Sequence, residues 1–220
     1  MHILSFGGTM EEAFESTSPF FTIDPMVSNR LEGVFSALIN DAWAEFISSD
    51  DDLRTRLKSQ GVEEPENRES ITWDDANLFF LSCVYLTNIG QPAPLEAGMS
   101  KERFGRFPYG DGSALSYVRT WVRDSKRKPE TYEQMLDLLE KLDTRMDGTS
   151  MARGFGRLEM RGWLTSQEVT SLRIGLTSKC WMPSADEPLD GGCQDAAKHL
   201  VALLRAAEKR TCGIVFRVHN

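Results

Sequence analysis

Arginines and glycines recur together in two irregular segments, residues 88–112 and 148–162, and these hold the residues best suited to chemistry. In the second segment Arg153, Arg157 and Arg161 recur every four residues. Because the arginine fork donates two parallel hydrogen bonds, it suits a carboxylate or phosphate on a partner or ligand. The simpler interpretation is that these arginines pair with the surplus carboxylates of this chain.

The first segment adds three candidates for binding an anion or a partner, Arg106, Tyr109 and Asp111. The run from Tyr109 to Ser113 places two glycines before a predicted helix, where exposed amides suit an anion. A tight turn with an ordinary serine cap explains the same pattern. One hypothesis is an enzyme with a site between the two segments, in which Arg106, Arg157 or Arg161 orients an anionic small molecule and a nearby carboxylate such as Asp111 is the base.

The signatures of the common enzyme classes are absent from the sequence. It contains no Gly-x-Ser-x-Gly elbow, no Gly-x-x-x-x-Gly-Lys-Ser/Thr phosphate loop and no Gly-x-Gly-x-x-Gly fingerprint. His199 and His219 have ordinary neighbours. Acidic clusters at residues 50–52 and 186–190 are best interpreted as solvated loops, because the first lacks the ligand spacing of a calcium loop. The sequence predicts neither a cofactor nor a metal ion.

Four cysteines, at positions 83, 180, 193 and 212, are scattered without a Cys-x-x-Cys pair, so no zinc site is predicted. Cys180 and Cys193 flank a loop and could approach one another; free thiols in a reducing cytosol are the favoured alternative to a disulfide. We expect a cytoplasmic protein without a membrane anchor. No secretory signal is visible, and the apolar run 78–86 is far shorter than the about 20 residues that span a bilayer.

The formal net charge of -8 and pI near 5.0 indicate an acidic protein. This charge argues against non-specific binding to nucleic acid or anionic membranes, because a phosphate surface repels it. Since no catalytic signature is present, the first hypothesis is a non-enzymatic binding or regulatory protein, immunity- or antitoxin-like, that contacts a basic partner protein. A subunit of a homo-oligomer is a further alternative.

Composition and hydrophobic periodicity predict a single globular domain, residues 1–220, of the α+β class. It should be predominantly helical, with about six or seven helices around a small sheet that includes the N- and C-terminal strands. The clearest stretch, 195–218, predicts an amphipathic helix and then a strand in which Ile214, Phe216 and Val218 share one face. We expect this strand to pair with His2–Phe6.

Local signals predict where several helices begin. Asp24-Pro25 resembles a cap followed by a first helical residue. Thr72 is the expected cap of a helix that is apolar on nearly every side from Ala76 to Leu86, which should be the most buried element. Thr165 and Glu168 form a capping-box pattern at the start of another helix.

Two stretches of the last third carry a resemblance to a known group of proteins. The first is Gly162-Trp163-Leu164-Thr165, which leads into the capped helix. The second is Cys212-Gly213-Ile214-Val215-Phe216, at the end of the final helix. Together with the order of elements, they resemble small uncharacterised bacterial α+β proteins known as domains of unknown function. The resemblance implies a fold and no chemistry.

Overall fold

The fold is known from a computed structural model that describes residues 20–96 and 113–219. It is α+β and mainly helical, as the sequence predicts, with eight α-helices in the described residues where about six or seven are predicted. The helices are α1 (Ser28–Ile39), α2 (Trp43–Ser48), α3 (Asp51–Ser59), α4 (Asp75–Cys83), α5 (Ala114–Trp121), α6 (Pro129–Thr144), α7 (Ser166–Thr177) and α8 (Gly192–Lys209). The strands are β1 (Phe20–Met26), β2 (Val122–Asp124), β3 (Arg153–Gly154), β4 (Leu158–Leu164), β5 (Trp181–Pro183) and β6 (Gly213–His219).

The main sheet is antiparallel, with the strand order β1-β6-β4-β3, and β2 pairs with β5 in a separate two-stranded sheet. Side chains alternate across β6, so this central strand divides the core in two. Ile214, Phe216 and Val218 pack with α5 to α8, and this confirms the shared face that their spacing predicts. Val215 packs with α1 to α4 on the opposite side of the sheet.

The first described strand differs from the sequence prediction. Asp24 and Pro25 do not begin a helix; they lie in β1, opposite Val215 and Ile214 of β6. The reason is a distant partner, because the Asp24 carboxylate accepts a 2.6 Å hydrogen bond from Arg217 Nε. β1 is an edge strand, where proline is tolerated. His2–Phe6, predicted to pair with β6, lies outside the described residues.

The helix caps show which local signals are decisive. The capping box at Thr165 and Glu168 is confirmed, with both of its hydrogen bonds formed. The predicted cap Thr72 is wrong, because Asp74 directly precedes α4 and accepts a 2.8 Å hydrogen bond from the Asn77 amide. α4 is buried on nearly every side, as predicted, although it ends at Cys83.

All four cysteines are buried free thiols.

Candidate functional site

The sequence-predicted site residues do not form one site in the described part of the chain. Arg106, Tyr109 and Asp111 lie outside the described residues. Arg153 is 80% exposed at the edge of the sheet, and its guanidinium lies 3.7 Å from Glu159. Arg157 is exposed in a left-handed turn, with a φ of 61°. These two arginines belong to the surface at the β3–β4 connection.

This connection is fixed to the start of α4 by Asp74. Its carboxylate accepts a 2.7 Å hydrogen bond from the Phe155 amide, in addition to capping the helix through Asn77. Burial alone would raise the pKa of Asp74, but hydrogen bonds from these amides lower it below its usual value. Gly154 lies so close that a Cβ there would be 2.6 Å from Asp74 Oδ1. These contacts hold the β3–β4 connection, which carries Arg157, in place against the start of α4.

Arg161 occupies a different environment, beneath α6. It lies at an irregularity in β4, where the pairing register shifts between Met160 and Gly162. Its Nε donates a 3.1 Å hydrogen bond to the backbone oxygen of Asp143 and lies 3.7 Å from Asp143 Oδ1. Arg153 and Arg161 thus pair with carboxylates of this chain, which is the simpler of the two interpretations of the arginine pattern.

Asp143 of α6 is a buried carboxylate that lies against Arg161. It is 3% exposed, accepts a 3.3 Å hydrogen bond from Ser113 Oγ, and its Oδ2 lies 3.6 Å from an Arg119 nitrogen. Burial raises the pKa of the Asp143 carboxyl, although Arg161 and Arg119 oppose this effect. Ser113 and Arg119, at the start and in the last turn of α5, therefore meet Arg161 of β4 at this carboxylate.

Sequence reasoning missed Asp143 although a signal for it exists. Met135, Leu139 and Asp143 are spaced by four residues, so the carboxylate continues the buried row of α6. Arg119 also reaches Glu140, at 3.3 Å, beside a shallow cavity of about 410 Å³. Side chains of α5, α6 and β4 therefore meet at the Asp143 carboxylate. This carboxylate is a proton acceptor that is shielded from water.

Asp143→Asn tests the electrostatic environment of this carboxyl. Because its pKa is raised in the folded protein, its contribution to stability is present at low pH and is lost as pH rises through the folded-state pKa. We expect the difference in unfolding free energy, wild type minus variant, to be more positive at about pH 4 than at about pH 7. Urea unfolding at both pH values measures it, with the exposed loop variant Asp186→Asn as the control. A difference that is independent of pH contradicts the prediction.

Negative charge is concentrated in residues 41–75, which we call the acidic segment. It contains eleven Asp and Glu residues and four Arg and Lys residues, a net charge of -7 in a chain of -8. Exposed members are Asp41, Glu45, Asp51, Asp52, Glu63, Glu64 and Glu69. Of these seven, only Asp51 forms an ion pair within the described residues, with Arg54. The other six carboxylates are exposed and have no cationic partner among the described residues.

Contacts between its elements make the acidic segment one fixed unit. Trp43 of α2 is 2% exposed and donates a 2.7 Å hydrogen bond from its indole nitrogen to the backbone oxygen of Pro65. Arg54 of α3 pairs with both Asp51 and Glu66, which joins the helix to the connection that follows it. The backbone that carries the exposed carboxylates is consequently held in place before any partner binds.

Comparisons with protein-family models, with curated proteins and with solved structures found no match to this chain. The resemblance to bacterial domains of unknown function therefore stays a prediction. In the described ranges, no helix is long and apolar enough to cross a membrane. Across those same ranges, no three His, Cys, Asp or Glu side chains are grouped so that they could hold a metal ion.

Proposed function

We propose that this protein is a non-enzymatic binding protein, immunity- or antitoxin-like, that docks on a basic partner protein through the acidic segment. The observation that carries the proposal is the net charge of -7 within residues 41–75. Six exposed carboxylates without ion pairs among the described residues repel one another, which disfavours the folded state. A cationic partner surface relieves this repulsion when it binds.

The fixed backbone of the segment also supports this role. Trp43 and Arg54 hold α2, α3 and the following connection together, so little conformational freedom is lost on binding. Complementary charge accelerates encounter and selects the partner, more than it adds affinity. A binding protein of this kind needs no catalytic group, which agrees with the absence of catalytic motifs from the sequence.

The test compares capture by wild type with capture by a variant in which the acidic segment is partly neutralised. The variant carries Asp52→Asn, Glu63→Gln, Glu64→Gln and Glu69→Gln, all at exposed positions. Wild type is expected to retain a basic protein from a lysate of its source organism at about 50 mM salt and to lose it near about 500 mM. The variant should associate with that protein about 10-fold more slowly in surface-plasmon measurements.

A matched variant separates the acidic segment from net charge. It carries Glu130→Gln, Glu133→Gln, Asp186→Asn and Asp190→Asn, four exposed positions elsewhere, and so makes the same change in total charge. This control should bind the partner at nearly the wild-type rate. Equal loss in the two variants, or the capture of no basic protein at low salt, would overturn the proposal.

A further inference from the structure

A groove lined by residues between 125 and 205 differs from the acidic segment in its charge and in its apolar lining. It lies between the C-terminal turn of α7, strand β5 and one face of α8, and Ser125 and Arg127 complete its lining. Its volume is about 810 Å³. Small-molecule sites are typically about 300–1,000 Å³, so the groove has the dimensions of such a site.

The charge of the groove is opposite to that of the protein. Among the described residues that line it, Arg127, Lys179, Lys198 and Arg205 are cationic and none is acidic. All four are exposed. In the described residues only Lys198 forms an ion pair, with Asp195 at 3.0 Å. Arg127, Lys179 and Arg205 therefore line the groove without a carboxylate partner in the part of the chain that the structure describes.

The floor of the groove is apolar. Leu176 and Ala197 are buried there, while Val201 and Ala202 are half-buried on α8. Trp181 lines the same space, and its indole nitrogen donates a 3.0 Å hydrogen bond to the backbone oxygen of Leu176. Since the only polar atom of the indole is satisfied within the protein, the ring is held in position and contributes apolar and aromatic surface.

Hydrogen bonds fix the wall of the groove that carries Arg127. Ser125 Oγ donates to the backbone oxygen of Lys179 at 2.6 Å, and the Ser125 amide donates to that of Cys180 at 3.0 Å. These two contacts hold the connection after β2 against the residues that lead into β5. The shape exists before a ligand binds, and a preformed site loses less entropy on binding.

We propose that this groove binds a small amphiphilic anion, an organic carboxylate or sulfonate with an alkyl or aromatic body. The apolar body lies along Trp181, Val201 and Ala202, and the anionic head accepts charge-assisted hydrogen bonds from Lys179, Lys198 or Arg205. Both halves of the ligand are required, because the floor offers no charge and the cations offer little apolar surface. This site is separate from the acidic segment.

Charge disfavours the other occupants of such a groove. A symmetric contact with a second copy would place the four cations against their own equivalents, which is repulsive. A nucleic acid would meet the remaining field of a protein with a net charge of -8. A small anion bears one charge and experiences mainly the local cations. It is therefore the occupant that the electrostatics favour.

The experiment uses two defined probes, anilinonaphthalene sulfonate as the fluorescent ligand and decanoate, below its micelle threshold, as its competitor. Decanoate should displace the dye, while decanol and decyltrimethylammonium, which have the same chain without the negative charge, should displace it poorly. In Lys179→Gln/Arg205→Gln, the dissociation constant of decanoate should rise about 10-fold or more. Isothermal titration of the full chain measures it directly.

Two further variants make the test specific for the groove. Ala202→Trp fills the floor with a large ring and should abolish binding of the dye and of decanoate. Lys58→Gln/Arg157→Gln removes two exposed cations outside the groove and should leave binding unchanged. The proposal is overturned if both cation variants bind decanoate equally, or if decanol competes as well as decanoate. It is also overturned if wild type sediments as an oligomer that Ala202→Trp dissociates, since a second copy then occupies the groove.

Discussion

Replacing Arg217 with methionine is expected to lower the free energy of unfolding by about 3–5 kcal/mol. Arg217 Nε lies 2.6 Å from Asp24 Oδ2, and the Asp24 side chain is only 1% exposed. Within the described residues, Asp24 Oδ1 has no hydrogen-bond partner, and Thr22 is the other donor to Oδ2. The substitution leaves a buried carboxylate of the edge strand β1 without its cation. Urea unfolding followed by circular dichroism measures the loss.

A double variant distinguishes a lost charge partner from lost packing. Arg217 also lies 4.6 Å from the centre of the Phe80 ring, so methionine retains part of the apolar contact. Because an apolar pair often replaces a buried ion pair at little cost, Asp24→Leu/Arg217→Met should be more stable than Arg217→Met alone. The control is Arg173→Met, which breaks a partly exposed pair with Glu208 and should cost about 1 kcal/mol or less. Equal losses in the two single arginine variants would contradict the prediction.

The same ion pair explains why the first described strand was not predictable from local sequence. Asp24-Pro25 has the residue types of a helix cap, but its decisive partner, Arg217, is 193 positions away. The capping box at Thr165 was predictable because all of its hydrogen bonds lie within four residues. The two faces of β6 were predictable for the same reason. Its apolar side chains alternate between the faces with a period of two residues, which is visible in the local sequence.

The candidate surfaces were predictable only in part. The excess of carboxylates in residues 41–75 can be counted in the sequence, whereas the contact between Trp43 and Pro65 that fixes their arrangement cannot. Arg153 and Arg161 are regularly spaced in the sequence, but this spacing alone does not determine whether they lie on one surface. The structure places them on different strands, with different carboxylate partners, because β4 begins between them. Spacing predicts a shared face only after the type of element is known.

Gly162→Ala is expected to destabilise the protein by about 1–3 kcal/mol or more, because β4 passes directly under the backbone of α6. A Cβ at Gly162 would lie 2.1 Å from the backbone oxygen of Lys141 and 2.7 Å from that of Leu142. Neither atom belongs to a side chain that can rotate away. The helix must therefore move relative to the sheet, and the Asp143 contacts between α6 and β4 must change with it.

Movement of α6 provides a second observable besides stability. Arg145 follows the last turn of α6, and its guanidinium lies 3.4 Å from the centre of the fully buried Trp163 ring on β4. Gly162→Ala should therefore change the near-ultraviolet circular dichroism of the native protein. The control is Gly61→Ala, where φ is +91° and a Cβ would meet nothing within 4 Å. That variant carries only local backbone strain, about 1 kcal/mol, and should leave the tryptophan signal unchanged. If Gly162→Ala loses no more stability than Gly61→Ala and keeps the native tryptophan signal, the close contact between β4 and α6 does not constrain the fold.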